Sequence, residues 1–253
     1  MTKHRIKQAV LFLIVGVVLG LLLLTPPVWR LKRGESVTVT RWIPPAGKVR
    51  VAVGPKEKGW TPIRGVSRHS VFALVVAEDQ RFFDHWGLDP VEIWHSLEVN
   101  MRRGGYVRGA STITQQVVRN ALLDRDKNLW RKFREALGAF LLELIASKDE
   151  IMEWYVNLVE LGTGVYGIKQ GAQVYFQTRP DLLTINQSIH LALVLPSPNV
   201  RAKALRVRQL SPKGRYRFAH LLVQLRNNGY ITQSQWEQSM ATGNFGSPIE
   251  VSE

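Results

Sequence analysis

The sequence predicts a mainly α-helical protein preceded by one transmembrane helix. Three observations carry that expectation. Apolar residues recur at helical spacing through most of residues 67–242, and Ser, Thr or Asp caps with Gln, Glu or Pro at the matching offset mark where helices begin. Alternating β-branched residues are confined to a short stretch around Val37 and Val39. Ala9 to Leu24 is an unbroken run of sixteen apolar or glycine residues.

That run comes first in the chain. As a helix it spans about 24 Å, short of a hydrocarbon core of ~30 Å, and Thr25 to Val28 with an interfacial Trp29 make up the difference. Thr25-Pro26-Pro27 offers no small-x-small cleavage site, so the segment reads as an uncleaved anchor rather than a signal peptide. Lys3, Arg5 and Lys7 in the short leading tail argue for an N-terminus inside and a body outside the cytoplasm. The expected organisation is a cytoplasmic tail (1–8), an anchor (9–29), an extended linker (30–66), the domain proper (67–242) and a flexible tail (243–253).

Charge narrows the partners. The net charge is +14, and removing the three tail cations leaves an excess of 11 on the remainder. Such a surface seeks anions. A membrane anchor turns that preference toward lipid headgroups or a phosphorylated lipid substrate and away from nucleic acid. The chain has no cysteine, which excludes disulfides and thiolate zinc sites.

Residues 34–66 carry Val37 and Val39, then Pro44, Pro45, Gly47, Gly54, Pro55, Gly59 and Pro62, the pattern of an extended tether with one strand pair. Ser67 stands as the cap of a helix whose residues Val71, Phe72, Leu74, Val75, Val76 and Ala77 are apolar almost all round, and it ends abruptly on Glu78 and Asp79. A carboxylate there is partly desolvated, which raises its pKa and makes it a base near neutral pH. Asp89-Pro90 opens the next helix, broken by Arg102-Arg103-Gly104-Gly105. Arg108 to Gln116 crowds hydroxyls and amides at another helix start: Thr112 with Gln115 forms a capping box, and the free N–H groups suit a phosphate or sugar oxygen.

Arg119, Arg125, Lys127, Arg131, Lys132 and Arg134 follow within sixteen positions, leading into a long helix from Leu129 to Ile145. Glu135 lies four residues from Arg131, the spacing of an i, i+4 ion pair. Ser147 with Glu150 caps a helix reaching Val159, and Gly162, Gly164 and Gly167 fit close helix packing as well as a ligand cradle. Thr184 with Gln187 caps a helix that the turn Pro196-Ser197-Pro198-Asn199 ends. Ser211-Pro212 opens a helix reaching Asn228-Gly229, and Thr232 starts a last short one.

Taken together these stretches resemble the peptidoglycan glycosyltransferase family, over about Thr61 to Tyr230. The matching blocks are Glu78-Asp79-Gln80-Arg81-Phe82-Phe83-Asp84-His85-Trp86-Gly87-Leu88-Asp89, Gly109 to Gln116, Arg131-Lys132-Phe133-Arg134-Glu135, and Tyr155-Val156-Asn157 with the glycine loop to Tyr175-Phe176. Gln177-Thr178 follows that last pair where the family commonly carries Gly-Lys. The resemblance, to the monofunctional type, implies a lysozyme-like lobe with a smaller membrane-associated jaw lobe, polymerising lipid II with inversion and release of undecaprenyl pyrophosphate. It places the general base on Glu78 and a second catalytic carboxylate on Glu135, which helps organise the donor pyrophosphate directly or through a divalent cation, Mg or Mn. Ser111, Thr112, Gln115, Gln116, Arg119, Lys127, Arg131, Lys132, Asn157 and Arg217 are the implied substrate-binding residues. No organic cofactor is implied; expected partners are lipid II, the growing lipid-linked glycan, the membrane and other cell-wall synthesis proteins.

A membrane-anchored muramidase and an inactive cell-wall scaffold are the competing readings. An inverting hydrolase protonates its leaving group and needs two carboxyl groups roughly 6.5–9.5 Å apart. A pyrophosphate leaves without protonation and needs cations, which Arg119 to Arg134 supply beside one base. A scaffold has no use for Glu78.

Overall fold

The computed structural model describes residues 7, 8, 10–13, 15, 16, 20, 24–105, 107, 109–124, 128–243 and 245. The architecture is mainly helical, as expected. After a single turn, α1 (Trp29–Lys32), comes a hairpin of β1 (Val37–Ile43) and β2 (Gly47–Val53). The helices that follow are α2 (Arg68–Glu78), α3 (Pro90–Arg103), α4 (Ile113–Leu122), α5 (Leu129–Ile145) and α6 (Lys148–Leu158). A small ladder, β3 (Glu160–Gly162) with β4 (Val165–Tyr166), leads to α7 (Ile168–Phe176), α8 (Ile185–Val194), α9 (Pro198–Arg206), α10 (Pro212–Asn227) and α11 (Gln233–Thr242). Both sheets are two-stranded and antiparallel, the first in the register Val37 opposite Val53 through Ile43 opposite Gly47.

Local chemistry sets most of these boundaries. Thr112/Gln115, Ser147/Glu150, Thr184/Gln187 and Thr232/Gln235 all close reciprocal capping boxes. Asp89 accepts from the backbone N–H groups of Val91 and Glu92, and Pro90 takes the first helical position. Ser67 occupies the cap position of α2 without a side-chain capping bond; its backbone N–H goes instead to the Pro180 carbonyl at 2.9 Å.

One continuous apolar core joins the elements, with Leu74, Phe82, Ile113, Leu142, Tyr155, Ile189 and Phe218 fully enclosed. Helix α2 runs through its centre against α8 and α10, while α4 packs on α5, α6 and the first strand. Residues 30–66 are therefore more than a tether. Val37, Val39 and Val53 on one face of the hairpin belong to the core, and α1 is tied down where Trp154 Nε1 donates to the Leu31 carbonyl at 3.1 Å. A half-buried strand face has to find apolar cover, and α4 provides it.

Two further differences have local causes. The stretch after Pro196 is not only a turn: Ser197-Pro198 opens α9, with Pro198 at the first helical position and Ala202 and Leu205 facing the core. The expected Arg131 to Glu135 ion pair is replaced by Lys132, whose Nζ lies 2.5 Å from Glu135 at i, i+3. Among the described residues no helix is long and apolar enough to cross a membrane. The 1–8 tail, the 9–29 anchor and the 243–253 tail lie largely or partly outside the described residues.

Gln177 ends α7 in the left-handed conformation with φ 52°. A side chain there costs about 1–2 kcal/mol relative to glycine. Gln177→Gly should stabilise the protein by about 0.5–1 kcal/mol once the unfolded-state entropy of glycine is deducted. Chemical denaturation read by circular dichroism checks this; a loss of stability would show the conformation is unstrained.

Candidate active site

The buried α2 segment Ala73 to Val76 delivers Glu78 at its last turn. The adjacent Asp79 is itself buried and fixes the turn. It accepts from His85 Nε2 at 2.9 Å and, through its other oxygen, from the backbone N–H of Ile113 at 2.9 Å. This clamps the end of α2 to the first residue of α4, and it puts Gln116, one turn into α4, beside the base. Gln116 Nε2 donates to Glu78 Oε2 at 2.9 Å. Gly87, with φ 76°, lets the intervening loop close onto α5: a Cβ there would sit 2.7 Å from the Ala139 carbonyl. Thr112 Oγ1 then donates to the Gly87 carbonyl at 2.6 Å.

Glu78 keeps part of its surface accessible, yet protein atoms crowd it. Burial pushes its carboxyl above the ordinary range; the Gln116 hydrogen bond and the charges of Arg119 and Arg201 offset part of the rise, and Asp79 adds to it. Tyr155 of α6 lies within reach of that charge. Its fully buried phenol is held well above its usual pKa, first by burial and then by Glu78, and its hydroxyl has no partner among the described residues.

A cavity of about 1060 Å3 opens beside this group, between the hairpin and α4. Glu78 is not on its wall; Gln116 is, and so are Arg30, Arg41, Arg50, Arg119 and Arg131. Three of these arginines come from the stretch read as a linker. Arg41 shares the inward face of β1 with Val37 and Val39, donates to the Asn157 carbonyl at 2.9 Å and lies 4.8 Å over the Tyr166 ring. The Nε groups of Arg41 and Arg131 are buried without a hydrogen-bond partner among the described residues. Sequence reading missed the hairpin cations because Pro and Gly on both sides hid a strand face; the signal was Arg41 continuing the Val37, Val39 alternation.

The remaining expected residues fall into two groups. Ser111, Lys132 and Glu135 come together: Lys132 Nζ bridges Ser111 Oγ at 2.9 Å and Glu135 Oε1 at 2.5 Å. Glu135 is buried and its Oε2 has no partner among the described residues. Among the described residues no three His, Asp or Glu side chains cluster as a metal cage; a lone carboxylate oxygen suits Mg2+ only where substrate phosphates and waters supply the other ligands. Thr112, Gln115 and Asn157 are engaged in hydrogen bonds within the protein. The first two are buried and spent on the capping box and the Gly87 contact. Asn157 uses both amide protons on the Thr61 and Glu153 carbonyls and accepts from the Thr61 N–H, which locks the chain entering the domain. Arg217 lies on a different, smaller pocket between α8, α9 and α10. Lys127 lies outside the described residues.

Fold and site define a helical enzyme built around one desolvated carboxylate beside an arginine-lined cleft. The family model described as transglycosylase matches residues 47–221, and the chain belongs to that family. It is 31% identical over 250 residues to penicillin-binding protein 1A of Aquifex aeolicus, covering 93% of this chain and 33% of that protein. It is 38% identical over 173 residues to the biosynthetic peptidoglycan transglycosylase of Pseudomonas savastanoi pv. phaseolicola, and 40% over 173 residues to that of Pseudomonas putida, in each case 64% of this chain and 73% of the relative. The chain thus spans a third of the length of the first relative and nearly three quarters of the other two.

If Glu78 must be ionised to work, kcat/KM rises with pH through its pKa, and the raised value moves that limb above the usual carboxylate range. Gln116→Ala removes a hydrogen bond that favours the ionised form, so the limb should move to still higher pH. A pH–rate profile that stays in place in this variant would detach Gln116 from the base.

Proposed function

We propose that this chain polymerises lipid II into β-1,4-linked glycan at Glu78 and the neighbouring arginine-lined cleft, inverting the configuration at MurNAc C1 and releasing undecaprenyl pyrophosphate. The observation that carries the reading is one desolvated carboxylate, hydrogen-bonded by Gln116, next to a cleft walled by five arginines. The family and its relatives named as peptidoglycan transglycosylases support it.

Glu78 takes the proton from the 4-hydroxyl of the acceptor GlcNAc as that oxygen bonds to the donor's anomeric carbon. The bond from this carbon to the phosphate oxygen breaks, and the electron pair leaves with the diphosphate. No acid is needed at the leaving group; Arg119 and Arg131 are placed to neutralise it, and Arg41 and Arg50 extend the same field. Lys132 holds Ser111, just before α4, and Glu135 of α5 in one short network. A divalent cation, where bound, would add charge neutralisation at the diphosphate, with Glu135 Oε2 as its protein ligand. The nearest acidic neighbour of the base, Asp79, is occupied by His85 and Ile113, which disfavours a second catalytic carboxyl of the hydrolase kind.

The membrane enters through the surface as well as the anchor. Ile93, Trp94, Leu97 and Met101 stand exposed along α3, near Phe83 and Trp86 in the preceding loop. An apolar set this large calls for cover, and a lipid substrate makes the bilayer the fitting one. Trp94→Glu with Leu97→Glu should lower co-flotation with anionic liposomes several-fold; unchanged flotation would assign that face elsewhere.

Glu78→Gln should abolish polymerisation of purified lipid II, seen on gels of labelled glycan, while leaving the fold intact. Because the native carboxyl is raised above its unfolded value of 4.5, its ionisation costs stability as pH rises through that window. The glutamine variant should therefore be at least as stable as its parent at pH 7. Glu135→Gln should lose most activity with weaker donor binding. Elongation by the Glu78 variant would refute the base assignment, and cleavage of finished peptidoglycan without lipid II would favour the muramidase.

A further inference from the structure

The hairpin has two edges, and they border different cavities. Val37 to Arg41 of β1 line the arginine-walled cleft. Val51, Ala52, Val53 and Gly54, at the end of β2, line a second groove of about 970 Å3 between the hairpin and α7, and Arg41 and Tyr166 belong to the walls of both. Successive strand residues point to opposite faces, so a run of consecutive residues on one wall means that the strand meets the groove with its backbone edge. The sheet is two-stranded, and among the described residues no strand pairs with the outer edge of β2. Alternate N–H and C=O groups along that edge point away from β1 and lack a ladder partner.

The groove has an apolar floor and a cationic rim. Val51 and Trp60 are half-buried on its wall, and Val174 of α7 stands exposed. Lys56, Lys58 and Lys169 are exposed, and none has a carboxylate partner among the described residues. Lys169 Nζ donates to the Lys58 carbonyl at 3.1 Å, which joins α7 to the loop after β2. The other charged groups on the wall are already engaged. Arg179 pairs with Asp181, Arg41 is turned to the Asn157 carbonyl, and Glu57 accepts from Ser36 Oγ at 2.8 Å. Gln170 accepts from the Tyr166 N–H at 2.8 Å, while Gln173 and Thr178 add an amide and a hydroxyl.

We propose that this groove docks an extended acidic segment of a partner protein, which adds to β2 as a third strand. Its main chain would satisfy the open edge. One set of alternate side chains would lie on Val51, Trp60 and Val174, and the other would bring carboxylates within reach of Lys56, Lys58 and Lys169. The fitting segment therefore alternates small apolar and acidic residues. Lysines along an edge oppose the pairing of two copies of one chain, which leaves a chain of opposite charge as the occupant. A phospholipid headgroup also matches lysines, but it brings no row of N–H and C=O groups to a strand edge. The proposal stands apart from the polymerase reading, because it concerns the edge of the hairpin that faces away from the arginine-walled cleft.

The test uses the full chain in detergent micelles. The probe is a fluorescently labelled, end-blocked peptide of eight residues that alternates valine with glutamate. One control carries lysine in place of glutamate; two others are N-methylated on every second amide, one in each register. The glutamate peptide should bind at least about tenfold more tightly than the lysine peptide, and one of the two N-methyl registers should lose binding by a similar factor. Lys58→Gln combined with Lys169→Gln, both on the exposed rim, should weaken binding about fivefold. Hydrogen exchange read by mass spectrometry should slow across residues 47–53 when the peptide is bound.

A glutamate peptide that fails to bind, or binds no better than the lysine peptide, would overturn the assignment. Unchanged exchange over residues 47–53, or binding that neither N-methyl register weakens, would do the same, since no strand would then lie on the edge. Flotation with phosphatidylglycerol vesicles is measured on the same lysine variant. A large loss of flotation with peptide binding unchanged would give the rim to lipid headgroups and remove the peptide partner.

Discussion

The Asp79 carboxylate is the constraint on which the rest of the site depends. Buried beside the base, it accepts from His85 on one side and from the first N–H of α4 on the other. A charged acceptor between a helix end and a helix start is worth more than a neutral contact, and its two partners fix the distance between α2 and α4. With that distance fixed, Gln116 meets Glu78 and Arg119 faces the same cleft. Lys148 reinforces the arrangement from α6, reaching the His85 carbonyl at 2.6 Å and Glu143 at 2.7 Å, while Glu143 accepts from Thr114 on α4. The base is thus held by a polar frame in which each member bonds the next.

The electrostatic division of labour follows from that frame. Burial keeps Glu78 from ionising too readily, while arginines from several parts of the chain line the neighbouring cleft. These cations are separated in sequence: Arg30 on α1, Arg41 and Arg50 on the hairpin, Arg119 on α4, Arg131 on α5. Their convergence depends on the hairpin lying against α4 through Val37 and Val39, so packing in the core sets charge in the cleft. Lys132, by contrast, is satisfied locally by Glu135 and Ser111 and serves to hold them.

Much of this was legible in the sequence wherever one residue's neighbours decide its role. The capping boxes, the Asp89-Pro90 helix start and the abrupt end of α2 on Glu78 are short-range features, and they lie where their residue types put them. What depended on distant contacts was harder to read. Thr112, Gln115 and Asn157 look like ligand-binding polar groups in one dimension, but each is consumed by backbone once the chain closes. The hairpin looked like a tether because its cover, α4, is sixty residues away. Helix α9 was hidden behind Pro196 and Pro198, although Ser197-Pro198 carries the same start signal as Ser211-Pro212.

The central claim is that Glu78 is a carboxyl whose proton affinity is raised by burial, with Gln116, Arg119 and Arg201 offsetting part of the rise and Asp79 adding to it. Isotope-edited carboxyl titration of the full chain, with the Glu78 signal assigned by its loss in a glutamine substitution, measures this directly. The account predicts a midpoint above the ordinary glutamate value of 4.5. A midpoint at or below that value would mean a solvated or ion-paired carboxylate, and the base at the centre of the site would have to be sought elsewhere.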